Sequence, residues 1–312
     1  MALSFSRKKF LLKPIFFILF LSLLSCGKSP LSPFHTFGIS KFFNKADDPK
    51  RDLNQQFKQY WYDGQAEITS FKLKQSRYGE LREGTAVLVY VTEDFLPDEQ
   101  VKANMQNENT VPVLKLNTTK KFLTGIYPYS IMSSTFYPLA NKSHAIKVVN
   151  SSQEWCGQMY AQLNNRDGFT VTAHDYFEGG ADQDFRLSES ILEDELWTQL
   201  RTAPSELPTG SQKVIPSLEY LRLNHKKIKA YEAEITKTDS AYRIKYSELN
   251  RTLNIDFEPN FPFKINGWQE TVPVGSSGKI QTSTAVKIKT LKTPYWKRTT
   301  EKYRALRDSL KI

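Results

Sequence analysis

Residues 154–177 read EWCGQMYAQLNNRDGFTVTAHDYF. Two runs of alternating character flank Asn164-Asn165-Arg166-Asp167-Gly168, a cluster of turn formers, which predicts a β-hairpin. With those five residues as the loop, Leu163 faces Phe169. The odd positions then gather Trp155, Gly157, Met159, Ala161 and Leu163 with Phe169, Val171, Ala173 and Phe177; only Asp175 interrupts this apolar face. The even positions, Glu154, Cys156, Gln158, Tyr160 and Gln162 with Thr170, Thr172, His174, Tyr176 and Glu178, form a polar one. A period of two with one wet face is the signature of an antiparallel sheet packed on one side.

The pattern extends along the chain. Residues 65–76, 84–93, 111–118, 122–137, 144–151, 155–163, 169–177, 212–223, 228–238, 242–257 (one strand or two) and 279–291 are rich in Val, Ile, Thr, Tyr and Phe between Gly, Pro and Asn breaks. The gaps are too short for repeated helical crossovers, so the strands pair as hairpins. Two segments have helical periodicity. In ESILEDELWTQLR, residues 189–201, Leu192, Leu196 and Leu200 share a face, with acids early and Arg201 late as the helix dipole prefers. In TEKYRALRDSLKI, residues 300–312, Tyr303, Leu306 and Leu310 share a face behind a Thr299 or Thr300 cap.

The stretch Thr85 to Val91 demands covers on both sides, since Val87, Val89 and Val91 point one way and Ala86, Leu88 and Tyr90 the other. The expected fold is mainly β, of α+β type: a large antiparallel sheet, strongly curved or folded into a sandwich, with two covering helices. A helix laid in such a sheet leaves an apolar cleft.

The N-terminus carries its own address. Basic residues Arg7, Lys8, Lys9 and Lys13 precede an apolar run over 15–24, the layout of an export signal, and the run is too short for a lasting membrane span. Leu23-Leu24-Ser25-Cys26-Gly27 resembles the lipobox of bacterial lipoproteins, in which cleavage precedes the cysteine and the thiol takes the lipid. The expected organisation is a signal at 1–25, lipidated Cys26 with a Ser-, Pro- and Gly-containing tether over 26–52, and a β-rich envelope domain over 53–312. The resemblance implies a membrane-anchored protein facing the periplasm, on the outer membrane rather than the inner.

Removal of 25 residues from 312 leaves 287, enough for a sizeable core. The formal charge of +10 loses four basic signal residues and becomes +6. Lysines and acids are interspersed without a dense basic strip, so nucleic acid is not an expected partner.

Reactive residues are sparse. With Cys26 consumed, Cys156 has no partner in its own chain, which excludes an internal disulfide. In the predicted register Cys156 lies on the polar face, across from Tyr176 and diagonal to His174. A cysteine and histidine so placed are candidates for a thiol–imidazole pair, but without an orienting group or oxyanion donors they read as a small residue beside a solvated histidine. No catalytic residue is assigned. His35, His144, His174 and His225 are far apart and show no metal-ligand spacing, and no cofactor motif is present. Gly275-Ser276-Ser277-Gly278-Lys279 is too short for a phosphate loop and reads as a hairpin turn. Glu178, Asp182 and Asp184 lack the spacing of a calcium loop. Lys287 and Lys289 read as the charged face of a strand at an exposed edge.

The segments YWYDGQAEITSFKLKQSRYGELREGTAVLVYVTEDFLPDEQVKAN, PVLKLN, TGIYPYSIM, QEWCGQMYAQLNN, YFEGGADQDF and ELWTQLR resemble a family of bacterial envelope lipoproteins often labelled septum formation inhibitor Maf. That label implies nucleotide pyrophosphatase activity. True Maf proteins are cytosolic, of α/β architecture, with an N-terminal Ser-x-Ser-Pro-Arg-Arg stretch; here Ser32-Pro33 is followed by Phe34 and His35. No catalytic residue is carried over. The preferred expectation is a non-enzymatic lipoprotein whose body binds an apolar ligand, such as a lipid, or an envelope protein. The alternative is a hydrolase or thiol enzyme using Cys156 and His174.

Overall fold

In the computed structural model, which describes residues 50–275 and 278–312, most of the chain is strand. The expected export signal, Cys26, the expected tether as far as residue 49, and Ser276 and Ser277 lie outside the described residues, whereas residues 50–52, expected in the tether, are described. The strands are β1 (Ala66–Arg77), β2 (Glu80–Leu96), β3 (Val101–Lys102), β4 (Val111–Thr124), β5 (Tyr127–Pro138), β6 (Lys147–Glu154), β7 (Gly157–Arg166), β8 (Gly168–Asp175), β9 (Gln183–Leu187), β10 (Ile191–Leu192), β11 (Gly210–Ile215), β12 (Tyr231–Lys237), β13 (Ala241–Tyr246), β14 (Arg251–Phe257), β15 (Ile265–Val274) and β16 (Lys279–Thr293). The helices are α1 (Gln55–Trp61), α2 (Glu193–Thr202), α3 (Leu218–Leu223) and α4 (Arg304–Ser309).

All strands join one sheet, in the order β10-β11-β12-β13-β14-β15-β16-β1-β2-β4-β5-β6-β7-β8-β9, with β3 beside β2. Every pairing is antiparallel except β10 with β11. The edge strands β9 and β10 are consecutive in the chain. Leu187 and Ile191 are four residues apart, so their Cα atoms are at most ~15 Å apart. The sheet therefore curls until its edges return to each other, as a barrel does.

The hairpin of residues 154–177 is β7 and β8. Met159, Ala161, Leu163, Phe169, Val171 and Ala173 are all buried, as that face assignment expects, whereas Trp155, assigned to the same apolar face, precedes β7 and is 67% exposed. The pairing is displaced by two residues: Leu163 faces Val171, Arg166 faces Gly168, and Asp167 alone forms the turn. Gly168, at φ +85°, supplies the left-handed conformation that so tight a connection needs. A shift of two preserves which face each side chain occupies, whereas a shift of one reverses it.

The double-sided apolar run of β2 is covered on both faces. Inside, α2 lies within the curled sheet and buries Leu192, Leu196 and Leu200; full burial of each leucine contributes about 1.5–3 kcal/mol. Outside, the C-terminal segment returns along the sheet, where Tyr303, Leu306 and Leu310 meet Thr85, Val87 and Val89 along one groove. The sheet and its two helical covers are as expected.

Other boundaries differ. The strand expected at 122–137 is broken at Gly125 into β4 and β5. The strand expected at 212–223 stops at Ile215, because Pro216 and Ser217 open α3; the Ser217 hydroxyl accepts from Tyr220 N (3.2 Å). No element was expected at α1, although Asn54 caps it by accepting from Phe57 N (2.8 Å) and Phe57 and Trp61 are buried one turn apart. β9 and β15 were also missed. Lys287 and Lys289 lie on β16 just past Val286, the last residue it pairs with β15, so at these positions only β1 is paired with the strand. Val274 pairs with Lys279, so the Gly275–Gly278 segment does join a hairpin.

Candidate functional site

The cysteine and histidine singled out from the sequence are placed apart. Cys156 sits in the turn between Glu154 and Gly157, exposed, with its backbone N–H donating to Glu154 Oε2 (2.8 Å). His174 faces Tyr160 across the β7–β8 ladder, stacks on its ring and bonds Asp182 Oδ1 through Nδ1 (2.9 Å). The two-residue shift removes the diagonal relation on which a thiol–imidazole pair depended. Among the described residues no three of His, Cys, Asp and Glu converge as a metal site requires.

The interior is polar where α2 meets the sheet. Each acid of its first turn has a different partner. Glu193 makes a two-point ion pair with Arg251 of β14, with Arg251 Nη2 donating to Glu193 Oε1 (2.7 Å), and also accepts from the Tyr246 hydroxyl (2.7 Å). Asp194 Oδ2 accepts from Leu218 N (3.0 Å), the first residue of α3. Glu195 accepts from His144 Nδ1 (2.7 Å) and Ala145 N (2.6 Å). At the other end of α2, Arg201 clasps both oxygens of Glu67 (2.6 and 2.8 Å) between the rings of Trp61 and Tyr90.

Burial and the neighbouring carboxylates Glu193 and Glu219 push the Asp194 carboxyl up to about 7, against the Leu218 hydrogen bond and Arg251. Burial would raise Glu270 too, but Arg251 and Lys120 hold it below the usual carboxylate range. The interior cavity between α2, α3 and these strands is about 80 Å³. That is room for a few waters, not for an acyl chain.

A larger recess lies outside, between α4 and the sheet. Its volume is about 500 Å³, within the ~300–1,000 Å³ of small-molecule sites. Ile68, Val87, Val89 and Leu291 form the floor, and Leu306 and Leu310 the wall. The cations Lys121, Arg298 and Arg307 lie at its margin, brought from β4, from the link after β16 and from α4. No Asp or Glu side chain occurs among its described lining residues, which also include Ile312. Arg298 is steadied by donating to the Tyr303 hydroxyl (2.8 Å) and by packing on that ring. An apolar floor with three cationic side chains at its margin suits a molecule with an apolar tail and an anionic head.

The apolar half of this site follows from the terminal Tyr303, Leu306 and Leu310 stripe. The cationic half was missed, because Lys121 is remote in sequence from Arg298 and Arg307 and nothing local marks the three as a group.

A comparison with protein-family models finds no match, and no curated protein is significantly similar. Among solved structures, the chain is similar to a beta-barrel-like protein of a domain of unknown function from Brucella abortus, at 7% identity and TM-score 0.43, over 73% of this chain and 98% of that one. It is also similar to a porin-like protein from Bacteroides uniformis, at 12% identity and TM-score 0.23, over 71% of this chain and 96% of that one. Both likenesses are too distant to bring a function with them.

Proposed function

We propose that this protein is a lipid-anchored envelope binding module whose ligand is an amphipathic anion, a fatty acid or an anionic lipid, seated between α4 and the outer face of the sheet. The observation that carries the reading is the convergence of Lys121, Arg298 and Arg307 on an apolar recess of about 500 Å³. The tail lies on Ile68, Val87, Val89 and Leu306, and the head group is met by Arg298, Arg307 and Lys121. Transfer of each tail methylene from water contributes ~0.8 kcal/mol, so a long chain supplies most of the affinity and the cations fix its orientation. The anchor is Cys26, on the strength of the lipobox after a short apolar run, and it holds the body at the periplasmic side of the envelope.

The test is displacement of a fluorescent fatty acid from the purified protein by unlabelled fatty acid and, separately, by phosphatidylglycerol. Saturable binding is expected, weakened several-fold by Arg298→Glu with Arg307→Glu and blocked by Val87→Trp, which fills the floor. Preference between the two competitors identifies the head group. Binding that is absent, or indifferent to all three substitutions, overturns the reading. For the anchor, loss of lipid labelling in Cys26→Ser is expected, and undiminished labelling refutes it.

A further inference from the structure

The strand order puts six hairpin turns at one end of the curled sheet, β13–β14, β15–β16, β1–β2, β4–β5, β6–β7 and β8–β9, and all but β13–β14 carry an exposed large apolar side chain. Apart from Met105 and Val286, the described large apolar side chains that are more than half exposed stand on or beside these tips. Ile126 is 83% exposed, Tyr176 71%, Trp155 67%, Ile280 62% and Leu123 58%, and Tyr78 belongs to the same end. Monomeric surfaces do expose single apolar residues, but a ring of them on successive tips is a patch with a purpose.

The aromatic members are held in place. Trp155 stacks on Tyr127 with ring centroids 6.2 Å apart. The Tyr78 hydroxyl shares a 2.7 Å hydrogen bond with Tyr129, and the Arg77 guanidinium lies over the Tyr78 ring. Tyr176 lies against Gly157, where an added Cβ would come within 2.6 Å of the ring. The rings are thus displayed, not merely left uncovered.

We propose that this crown is a bilayer-insertion surface: Leu123, Ile126 and Ile280 enter the acyl region while Tyr78, Trp155 and Tyr176 sit at the head-group level. Three observations select a bilayer as the occupant. The apolar groups stand on separate convex tips, which a fluid surface accommodates one by one, whereas a protein partner would need a matching socket for each. The mixture of aliphatic points and Tyr or Trp collars is that of membrane-interface belts. Beside the tips Arg82 pairs with Glu80 (2.6 Å) and Lys229 with Glu248 (3.1 Å), while Glu178 on the β8–β9 tip is exposed, so contact is driven by apolar insertion more than by attraction to anionic lipid.

The chain enters the body at the opposite end, where Lys50 bridges Asn141 in the β5–β6 connection. Residues 27–49 can extend to roughly 80 Å, and the 14-residue β4 spans about 46 Å. A body anchored at Cys26 can therefore turn its crown to the same bilayer. Insertion does not depend on which residue anchors the chain, nor on occupancy of the α4 recess.

Cys156, exposed beside Trp155, is a native probe position at the crown. The full chain carrying Cys26→Ser is labelled at Cys156 with an environment-sensitive fluorophore and added to phosphatidylcholine vesicles whose acyl chains are brominated. A blue shift and bromine quenching are expected. In the same chain with Cys156→Ser and Asp239→Cys, which moves the label to the turn at the opposite end, emission stays aqueous and quenching is several-fold weaker. Ile126→Asp with Leu123→Asp returns the Cys156 label to the aqueous spectrum. Equal quenching at both ends, an unshifted Cys156 label, or a shift that arises without lipid as protein concentration rises overturns the proposal.

Discussion

Replacing Asp194 by Asn is expected to stabilise the protein at alkaline pH and to leave it nearly unchanged at mildly acidic pH. In the folded chain the Asp194 carboxyl is enclosed by α2, α3 and β14, faces Glu193 and Glu219, and has a single backbone donor, Leu218 N. Its titration is displaced from 3.8 up to about 7. A carboxyl displaced upward retains its proton in the folded state while the unfolded chain has already released it. The folded state then binds more protons, and stability falls as pH rises between the two values. At ~1.4 kcal/mol per unit over about three units the loss reaches at most ~4 kcal/mol, less where cavity water reaches the carboxyl.

Asparagine keeps an oxygen for Leu218 N–H and never ionises. The difference in unfolding free energy between variant and parent, measured by urea titration, is therefore expected to grow from near zero at about pH 4 to a few kcal/mol at about pH 8. The difference is the informative quantity, since other groups shape the parent's own curve. Glu67 and Glu270, both held below the usual carboxylate range, contribute stability that is lost as pH falls through their folded values. His144 loses solvation on burial, yet Glu195 raises its titration overall, and its contribution is lost as pH rises through the folded value. These contributions cancel between parent and variant. A difference that stays constant across the range would refute the reasoning, because Asp194 would then be ionised throughout.

Arg222→Leu is expected to destabilise by ~3–5 kcal/mol, since it strands Asp175 as a buried charge, and adding Asp175→Leu is expected to restore much of the loss. Urea unfolding of the single and double variants checks both; a single variant of near-parental stability would show that the pair is not needed. Cys156 is expected to react with iodoacetamide without denaturant, and Cys156→Ser to change stability by no more than about 0.5 kcal/mol. Mass spectrometry of the native protein decides the first, and a thiol that reacts only after unfolding would contradict its place in an open turn.

The alternation of residues 154–177 was enough to place Gly157 to Leu163 and Phe169 to Asp175 on their faces, because the parity of a strand does not depend on its partner. The pairing did depend on it. Five turn-forming residues looked like a loop, yet Asn164, Asn165 and Arg166 remain in the ladder and only Asp167 leaves it. Asp175 was legible as an interruption in an apolar face, but its reason lies in Arg222 of α3, which pairs with it in the interior. That helix was hidden in a stretch rich in Leu and Tyr that suits a strand as well, and only Pro216 and Ser217 marked the change. The covering role of the C-terminal stripe could be inferred because Thr85 to Val91 has no polar face at all. The recess beside it could not, since its cations come from segments that only the folded sheet brings together.

The charged interior has a cause in topology. A ten-residue helix enclosed by a curled sheet has both ends inside, so its first N–H groups, last carbonyls and dipole must be met by protein and not by water. Acids at the start and Arg201 at the end satisfy the dipole, but each brings a charge into the core that needs its own partner. The strands provide these at inward positions of otherwise apolar alternations. Arg251 precedes Leu253, Ile255 and Phe257 on the buried face of β14, and Glu67 shares the buried face of β1 with Phe71 and Leu73. A lone charge at an inward strand position, together with an opposite charge at one end of a short amphipathic helix, is thus a sequence-level sign that the helix lies within the sheet. Glu193 with Arg251 at one end and Arg201 with Glu67 at the other fix α2 along the interior. The interior is filled and pinned in this way, which leaves the outer recess and the hairpin tips as the surfaces free to bind.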